Sequence, residues 1–480
     1  MSERPAIVLL RRDLRLDDNP ALHAAGERGP VIALFVLDET EPLGFGRAAR
    51  WWLHHSLDRL GEALGRVPLV LRRGDMAATV EALALETKAA IVTWNRRYAA
   101  SEVARDKAMK ARLAAAGIET RSFNGALLRE PWEIETKAGG PYRVFSPFWR
   151  ALRGAGPARG HVKRFRGDGP AITPRSEALA SWGLLPTRPN WAQAFETTWT
   201  PGEKGAQDGL ARFLDGAALT YAADRDRPDI EGTSRLSPHL AFGEISPLGV
   251  WRAVHARLEL GALGAAAAES FLSELAWREF CYAQAYFNAD IKTAPLRDAF
   301  AAFPWRKDKN DLAAWRKGRT GYPIVDAGMR QLWRAGWMHN RVRMIVASFL
   351  VKDLLLDWRE GERWFWDTLV DADPANNPAN WQWVAGAGAD AAPYFRIFNP
   401  VAQGEKFDPE GDYVRRYAPE LAKLSAEHIH KPWAAPADRL KAAGVVLGAD
   451  YPAPLTDHAF ARKRALEAFD SIKKSHMEPQ

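Results

Sequence analysis

The run "AIVLLRR" (6–12) puts five apolar residues in succession before two arginines, close to the start of a 480-residue chain. A strand that is apolar on both faces needs cover on both faces, which is the condition of a parallel sheet clad in helices. The pattern then recurs as "PVIALFVLD" (30–38), "VPLVLRRG" (67–74), "AIVTWN" (90–95) and "IETRSFN" (118–124). Amphipathic stretches lie between these runs, among them "GRAARWWLHHSLDRLGEALG" (46–65) and "SEVARDKAMKARLAAAG" (101–117). The expectation is an α/β domain, Rossmann-like, on a parallel sheet of about five strands over residues 1–130. No GxGxxG follows any of the strands, so a standard dinucleotide site is not expected there.

Residues 131–202 are rich in Pro, Gly and Arg, as in "RGAGPARGHVKRFRGDGP" (153–170), and read as an inter-domain linker draped over the surface. From residue 203 the periodicity turns helical and strand patterns cease, so an all-α domain is expected over 203–475. The segment after residue 431 is short and ends in a helical pattern, "DHAFARKRALEAFDSIKK" (457–474).

Composition narrows the function classes. With 47% hydrophobic and 26% charged residues the chain is an ordinary globular protein. It has no apolar run of transmembrane length and no signal-peptide pattern, so a cytosolic protein is expected. The sole cysteine, Cys281, excludes internal disulfides and any site built from several thiolates. Redox work would therefore fall to an organic cofactor. Lys and Arg exceed Asp and Glu, 66 to 59, for a net charge of +7, mildly favouring a polyanionic partner.

Several polar groupings carry potential chemistry. In "ESFLSELAWREFCYA" (269–283), Glu274, Trp277 and Arg278 fall at i, i+3 and i+4 on one helix face, which fits a binding face or a plain ion pair beside a core indole. "GWMHNRVRMIVASFL" (336–350) sets Asn340 and Met344 on one face, with Arg341 and Arg343 nearby, before a run that must be buried. In "EGTSRLSPHLAFGEIS" (231–246), the hydroxyls of Thr233, Ser234 and Ser237 flank Arg235 at a helix start. That suits a pyrophosphate or a simple Ser-Pro cap. "DADPANNPANWQW" (371–383) reads as an irregular loop in which Asp371, Asp373 and Asn377 surround a hydrogen-bonding ring system, and no metal is expected.

The motifs "EGTSRLSP", "WREF", "TGYPIVDAGMRQL", "MHNRVRM", "DWREGER" and "WQWVAGAGADAAPYFRIFNP" occur in this order between residues 231 and 400. With them the chain resembles the DNA photolyase/cryptochrome family, and within it the microbial cyclobutane pyrimidine dimer photolyases. The resemblance implies FAD in the helical domain, with Tyr221, Thr233, Ser234, Arg235, Leu236 and Ser237 at its phosphates and ribose. Asn340, Arg343, Asp371, Asp373 and Asn377 would line the isoalloxazine, with Asn377 facing N5. Phe271 stands where the family often has Trp. Trp381, Trp358 and Trp305 match an electron-transfer chain, while Trp383 and Trp277 match the walls of the pocket for a flipped-out dimer.

Glu274 would hydrogen-bond the lesion, Met344 would contact it, and Arg225, Arg278, Arg341 and Gln403, with Asn340, would meet DNA. The implied reaction is light-driven splitting of the dimer by an electron from excited, reduced FAD. A cryptochrome-type photoreceptor is the alternative. The enzyme would act as a cytoplasmic monomer, nucleoid-associated when on DNA. "NRRYAASEVARDKAMKARL" (95–113) matches the segment in which folate-using relatives hold a pterin with an Asn-Glu pair, here Ser101 and Glu102. That points to methenyltetrahydrofolate as antenna. The alternative is that Ser101 caps its helix and Glu102 sits in the first turn.

Overall fold

The computed structural model describes residues 4–41, 44–390 and 395–477; four residues of the last motif, 391–394, lie outside them. Five parallel strands form the sheet: β1 (Ala6–Leu10), β2 (Val31–Asp38), β3 (Leu69–Gly74), β4 (Ile91–Asn95) and β5 (Thr120–Phe123). Their spatial order is β3-β2-β1-β4-β5. Every residue of β1 is buried, with Val8 opposite Ala33 on one side and Thr93 on the other. The both-faces-apolar reading of the opening run thus holds. Ile7, Leu9, Ile32, Leu34, Val70 and Val92 pack with Trp94 and the helix residues Val80, Leu83, Met109 and Leu113 in one apolar cluster.

The order reverses between β1 and β4, where polar loops leave the strand ends. There Asn95 donates to Asp13 Oδ2 (2.7 Å) and Asn19 Oδ1 (2.8 Å).

By contact the chain forms two compact units. The first comprises Met1–Leu219, Ser234–Ala289 and Val370–Ala375. Within it the helix Arg47–Leu64 sends Trp52 Nε1 to the fully buried Glu244 (2.9 Å), whose other oxygen pairs with His239 Nδ1 (2.5 Å). Arg15, 2% exposed, donates to the carbonyls of Asp18, Gly125 and Gly243 at 2.8, 2.6 and 2.9 Å.

The stretch 131–202 is more than a linker. It contains a helix, Phe145–Ala155, that buries Phe145, Phe148, Trp149 and Leu152. Trp149 Nε1 and Arg153 both reach Glu269 Oε1, at 2.9 and 2.7 Å, on the long helix Ala265–Phe287. The apolar spacing of a helix was present in "FSPFWRAL", but the Pro, Gly and Arg on its C-terminal side obscured it.

The second unit, Thr220–Thr233, Asp290–Leu369 and Asn376–Gln480, is mostly helical in its described residues, whereas the helical stretches within 203–219 and 234–289 of the domain expected over 203–475 fall in the first unit. Helices of the second unit include Pro323–Ala335, Asn340–Ser348, Trp358–Thr368, Asn376–Ala385 and His458–Met477. Asp326, fully buried, accepts from Thr320 N (2.6 Å), Gly321 N (3.0 Å) and Tyr451 OH (2.6 Å), so burial of the carboxylate is met by hydrogen bonds. Among the described residues, no helix is long and apolar enough to cross a membrane.

Gly243 has φ +65°, and a Cβ on it would lie 2.1 Å from the Arg12 carbonyl oxygen. Gly243→Ala is expected to destabilise the first unit by about 3 kcal/mol, through a left-handed alanine and displacement of the loop that Arg15 binds. A denaturant midpoint equal to that of the unmodified protein would count against this account of the turn.

Candidate functional site

In the first unit the long helix Ala265–Phe287 brings Glu274 and Trp277 to one half-buried face. Phe145 stacks on Trp277, with ring centroids 3.9 Å apart and planes 8° from parallel. Phe271 is buried against Phe213 at 4.6 Å. Arg278, expected at DNA, is turned inward instead. Its guanidinium donates to Ala126 O (2.8 Å), pairs with Glu279 (3.2 Å) and lies 4.7 Å above the Tyr282 ring. Glu279 also accepts from Leu128 N (2.7 Å), and burial pushes its carboxyl up to about 7. This side chain fixes the helix to the loop beyond β5 and leaves Arg278 poorly suited to a phosphate.

The loop 234–236 leads into a short helix, Ser237–Ala241. Leu236 occupies the cap position and Ser237 is the first helical residue, so the Ser-Pro cap considered from sequence is not formed. Arg235 has φ +52°, uncommon for a residue with a side chain, and its guanidinium lies 4.7 Å above Trp199. Backbone strain of this kind gathers where a ligand is bound. Asp371 and Asp373 are both buried; Asp373 accepts from Tyr282 OH (2.7 Å) and Ala375 N (2.9 Å).

Near the ends of β1 and β4, Glu102 is buried and faces Arg97 at 3.4 Å, while Asp106 pairs with Arg11 at 2.5 Å and Arg97 at 3.5 Å. Ser101 is exposed and does not cap its helix; Ala99 holds that position, and Glu102 reaches back to Ala99 N at 3.4 Å.

In the second unit the stretch read as a loop from 371 to 383 is helical from Asn376 onward. Its Asn377 is buried and donates through Nδ2 to Glu362 O (3.0 Å) and Glu362 Oε1 (2.9 Å). Both of these hydrogen bonds use the donor side of the amide. Burial raises the Glu362 carboxyl above its ordinary range. Glu362 was not singled out in the sequence, although it lies in the motif "DWREGER".

Trp381 is 2% exposed and meets Phe365 and Trp315 edge-on at 5.0 and 6.2 Å. Its benzo edge lies against Gly361, where a Cβ would be 2.0 Å from Cη2. Gly361 is one turn along from Trp358, itself buried, on the helix Trp358–Thr368. Trp305 is half-buried, 4.2 Å from the Phe303 ring. Exposure thus rises from Trp381 and Trp358 to Trp305. Trp383 is half-buried, and its indole N–H is buried without a partner among the described residues.

The same unit gathers cations. Arg341 pairs with Asp226 at 2.5 Å and lies 4.5 Å over Phe407. Arg225 is 3.8 Å from the same carboxylate and 5.6 Å above the ring of the buried Tyr221. Arg225 and Arg341 thus both lie beside the Asp226 carboxylate. Asn340 is exposed, Met344 and Thr233 are half-buried, and Arg343 donates to Met338 O at 2.8 Å. Gln403 has a buried Oε1 without a partner among the described residues.

His339 caps the helix Asn340–Ser348 by accepting Arg341 N at Nδ1 (3.2 Å). Burial lowers its pKa from 6.5 to about 4, with Arg341, Arg343 and Arg225 acting the same way and Asp226 opposing. Because the unfolded ring takes a proton near 6.5 and the folded one near 4, stability falls as pH drops through that window, by about 3 kcal/mol in full. His339→Asn keeps an acceptor for the cap and is expected to flatten the dependence between pH 6.5 and 4. Unfolding titrations of equal slope in both proteins would contradict a buried neutral imidazole.

The geometry can be set beside known proteins. Residues 6–162 match the family description "DNA photolyase", and residues 271–471 match "FAD binding domain of DNA photolyase". A deoxyribodipyrimidine photo-lyase of Agrobacterium fabrum is 54% identical, over 98% of each chain. Cryptochrome-1 of Arabidopsis thaliana is 39% identical over 97% of this chain and 70% of its own. Among solved structures, a bacterial class III photolyase from Agrobacterium tumefaciens superposes with a TM-score of 0.95 at 53% identity, over 99% of this chain and 98% of that one. With both halves of the fold and nearly the full length matched, the chain belongs to the DNA photolyase family.

Proposed function

We propose that this chain is a light-driven carbon–carbon lyase that splits cyclobutane pyrimidine dimers in DNA, with FAD as its cofactor. The carrying observation is the helix Asn376–Ala385, which unites Asn377, its donor side bonded to Glu362, the buried Trp381 and the half-buried Trp383. An acceptor Oδ1 suits a ring N–H, as a reduced flavin presents at N5.

By the family resemblance, Tyr221, Thr233, Ser234, Arg235, Leu236, Ser237, Phe271, Asn340, Arg343, Asp371, Asp373 and Asn377 would hold the FAD. When bound and reduced, FAD would supply light-driven one-electron chemistry to the dimer, with no net redox change. Glu274 hydrogen-bonds the pyrimidines, and Trp277, Trp383 and Met344 wall the flipped-out lesion. Arg225, Arg341 and Gln403 hold the DNA, contacts that position the duplex while the pocket recognises the damage. Trp381, Trp358 and Trp305 relay electrons inward from the surface, a path outside the repair cycle. Residues 1–130 serve the antenna and 203–475 the FAD and DNA, in a monomeric cytoplasmic enzyme.

The reading is tested with purified holoenzyme and an oligonucleotide carrying one thymine dimer. Repair is expected under blue light and not in darkness. Trp381→Phe is expected to block photoreduction of the oxidised cofactor yet to repair normally once the cofactor is chemically reduced. Colourless protein, or equal repair in the dark, overturns the assignment. A cryptochrome-type photoreceptor is the second reading, favoured by the extent of likeness to the plant protein; it predicts cofactor photochemistry without dimer splitting.

For the antenna we propose methenyltetrahydrofolate against Glu102, whose carboxylate can accept from a pterin's amino and ring N–H groups. Reconstitution with the folate should add a near-ultraviolet band that Glu102→Ala removes. Tight binding of a deazaflavin in its stead would refute the choice.

A further inference from the structure

The helix Phe145–Ala155 lies in the stretch expected as a linker, yet its first residue touches a proposed lesion wall. Phe145 covers one face of the Trp277 indole at 3.9 Å, with planes 8° apart, and Phe280 meets the same indole edge-on at 5.6 Å and 89°. Phe145 and Phe148 in turn meet Phe280 edge-on, at 6.0 and 5.4 Å. The stack has a fixed base. Trp149 and Arg153 anchor the helix to Glu269, and Gln284 Nε2 holds the preceding turn through Tyr142 O at 2.8 Å. Phe145 is itself 8% exposed, whereas Trp277 is half-buried. Trp277 is thus stacked on one face and still partly accessible.

We infer that Phe145 is a positioning residue for lesion recognition: it fixes the plane of Trp277, so that one indole face is set in advance for the flipped-out dimer. The inference rests on the proposed role of Trp277 as a lesion wall. An indole free to turn about its side-chain torsions would have to be ordered when the dimer enters, and that ordering weakens binding. A ring stacked on a buried phenyl has already been ordered during folding. The effect belongs to affinity for the dimer. Intact DNA, held through phosphates, leaves Trp277 unvisited, and electron transfer within a filled pocket does not depend on how the indole was ordered.

The test is equilibrium binding in the dark by FAD-loaded enzyme to dimer-containing and intact oligonucleotides, with the single-flash repair yield at saturation. Phe145→Leu is expected to weaken dimer binding about tenfold, with intact DNA within about twofold and the yield per bound dimer unchanged. Phe145→Tyr, which keeps the ring, should bind as the unmodified enzyme does. If the leucine variant fails to fold, Phe145→Met carries the same expectation. Unchanged dimer affinity in Phe145→Leu, with strong loss in Trp277→Ala, overturns the inference and leaves the lesion wall standing. No loss in Trp277→Ala removes the wall and the inference with it. Equal weakening toward both DNAs also overturns it, because the effect would then lie outside the lesion.

Discussion

A guanidinium buried almost completely, with backbone carbonyls as its partners, is the constraint on which the first unit turns. Arg15 leaves the loop after β1 and donates to carbonyls of that loop, of the loop after β5 and of the segment beginning at Ser234. Asp18, beside it, pairs with Arg159 at 2.6 Å, so the arginine-rich stretch is drawn into the same network. A buried charge without such partners would cost several kcal/mol, and the loops are therefore held in the one arrangement that supplies them. Gly243 can approach Arg12 closely only because it has no side chain, and it is this approach that puts its carbonyl within reach of Arg15. The strained Arg235 and the short helix at Ser237 belong to the same stretch of chain.

The second unit uses buried polarity differently. Gln382 is fully buried, donates to Ile291 O and Ala294 O, and accepts Leu296 N, so its amide is consumed in fixing the helix that carries Asn377 and Trp381. Asn377, five residues earlier, donates to the carbonyl and the carboxylate of Glu362. One amide meets backbone groups and the other a carboxylate as well, although the two residue types are nearly interchangeable in composition. The difference lies in which buried partners each one meets.

The sheet was legible because its strands are buried on both faces and their apolar runs leave little choice of structure. The helix Asn376–Ala385 was not, and the cause is specific. Asn377 and Gln382 are buried beside Trp381 and Ala385, so no polar stripe alternates with an apolar one and the helical period is hidden. Arg278 was legible as a member of a face with Glu274 and Trp277, but its neighbour Glu279 and the Ala126 carbonyl draw the charged end inward, and those partners lie far off in sequence or on another face. His339 and Glu362 escaped notice because their roles are to cap and to orient residues already chosen. Phe145 was hidden by composition, since the residues following its helix are those of a loop.

Gly361 bears on how this enzyme could be hardened by protein engineering. A glycine inside a helix costs roughly 1 kcal/mol relative to alanine, and a propensity-guided or consensus-style stabilisation campaign would nominate it early. The indole of Trp381 occupies the space that the new methyl would need. An alanine there would trade helix propensity for a displaced Trp381, and a screen scored on melting temperature or expression alone would not register what had moved.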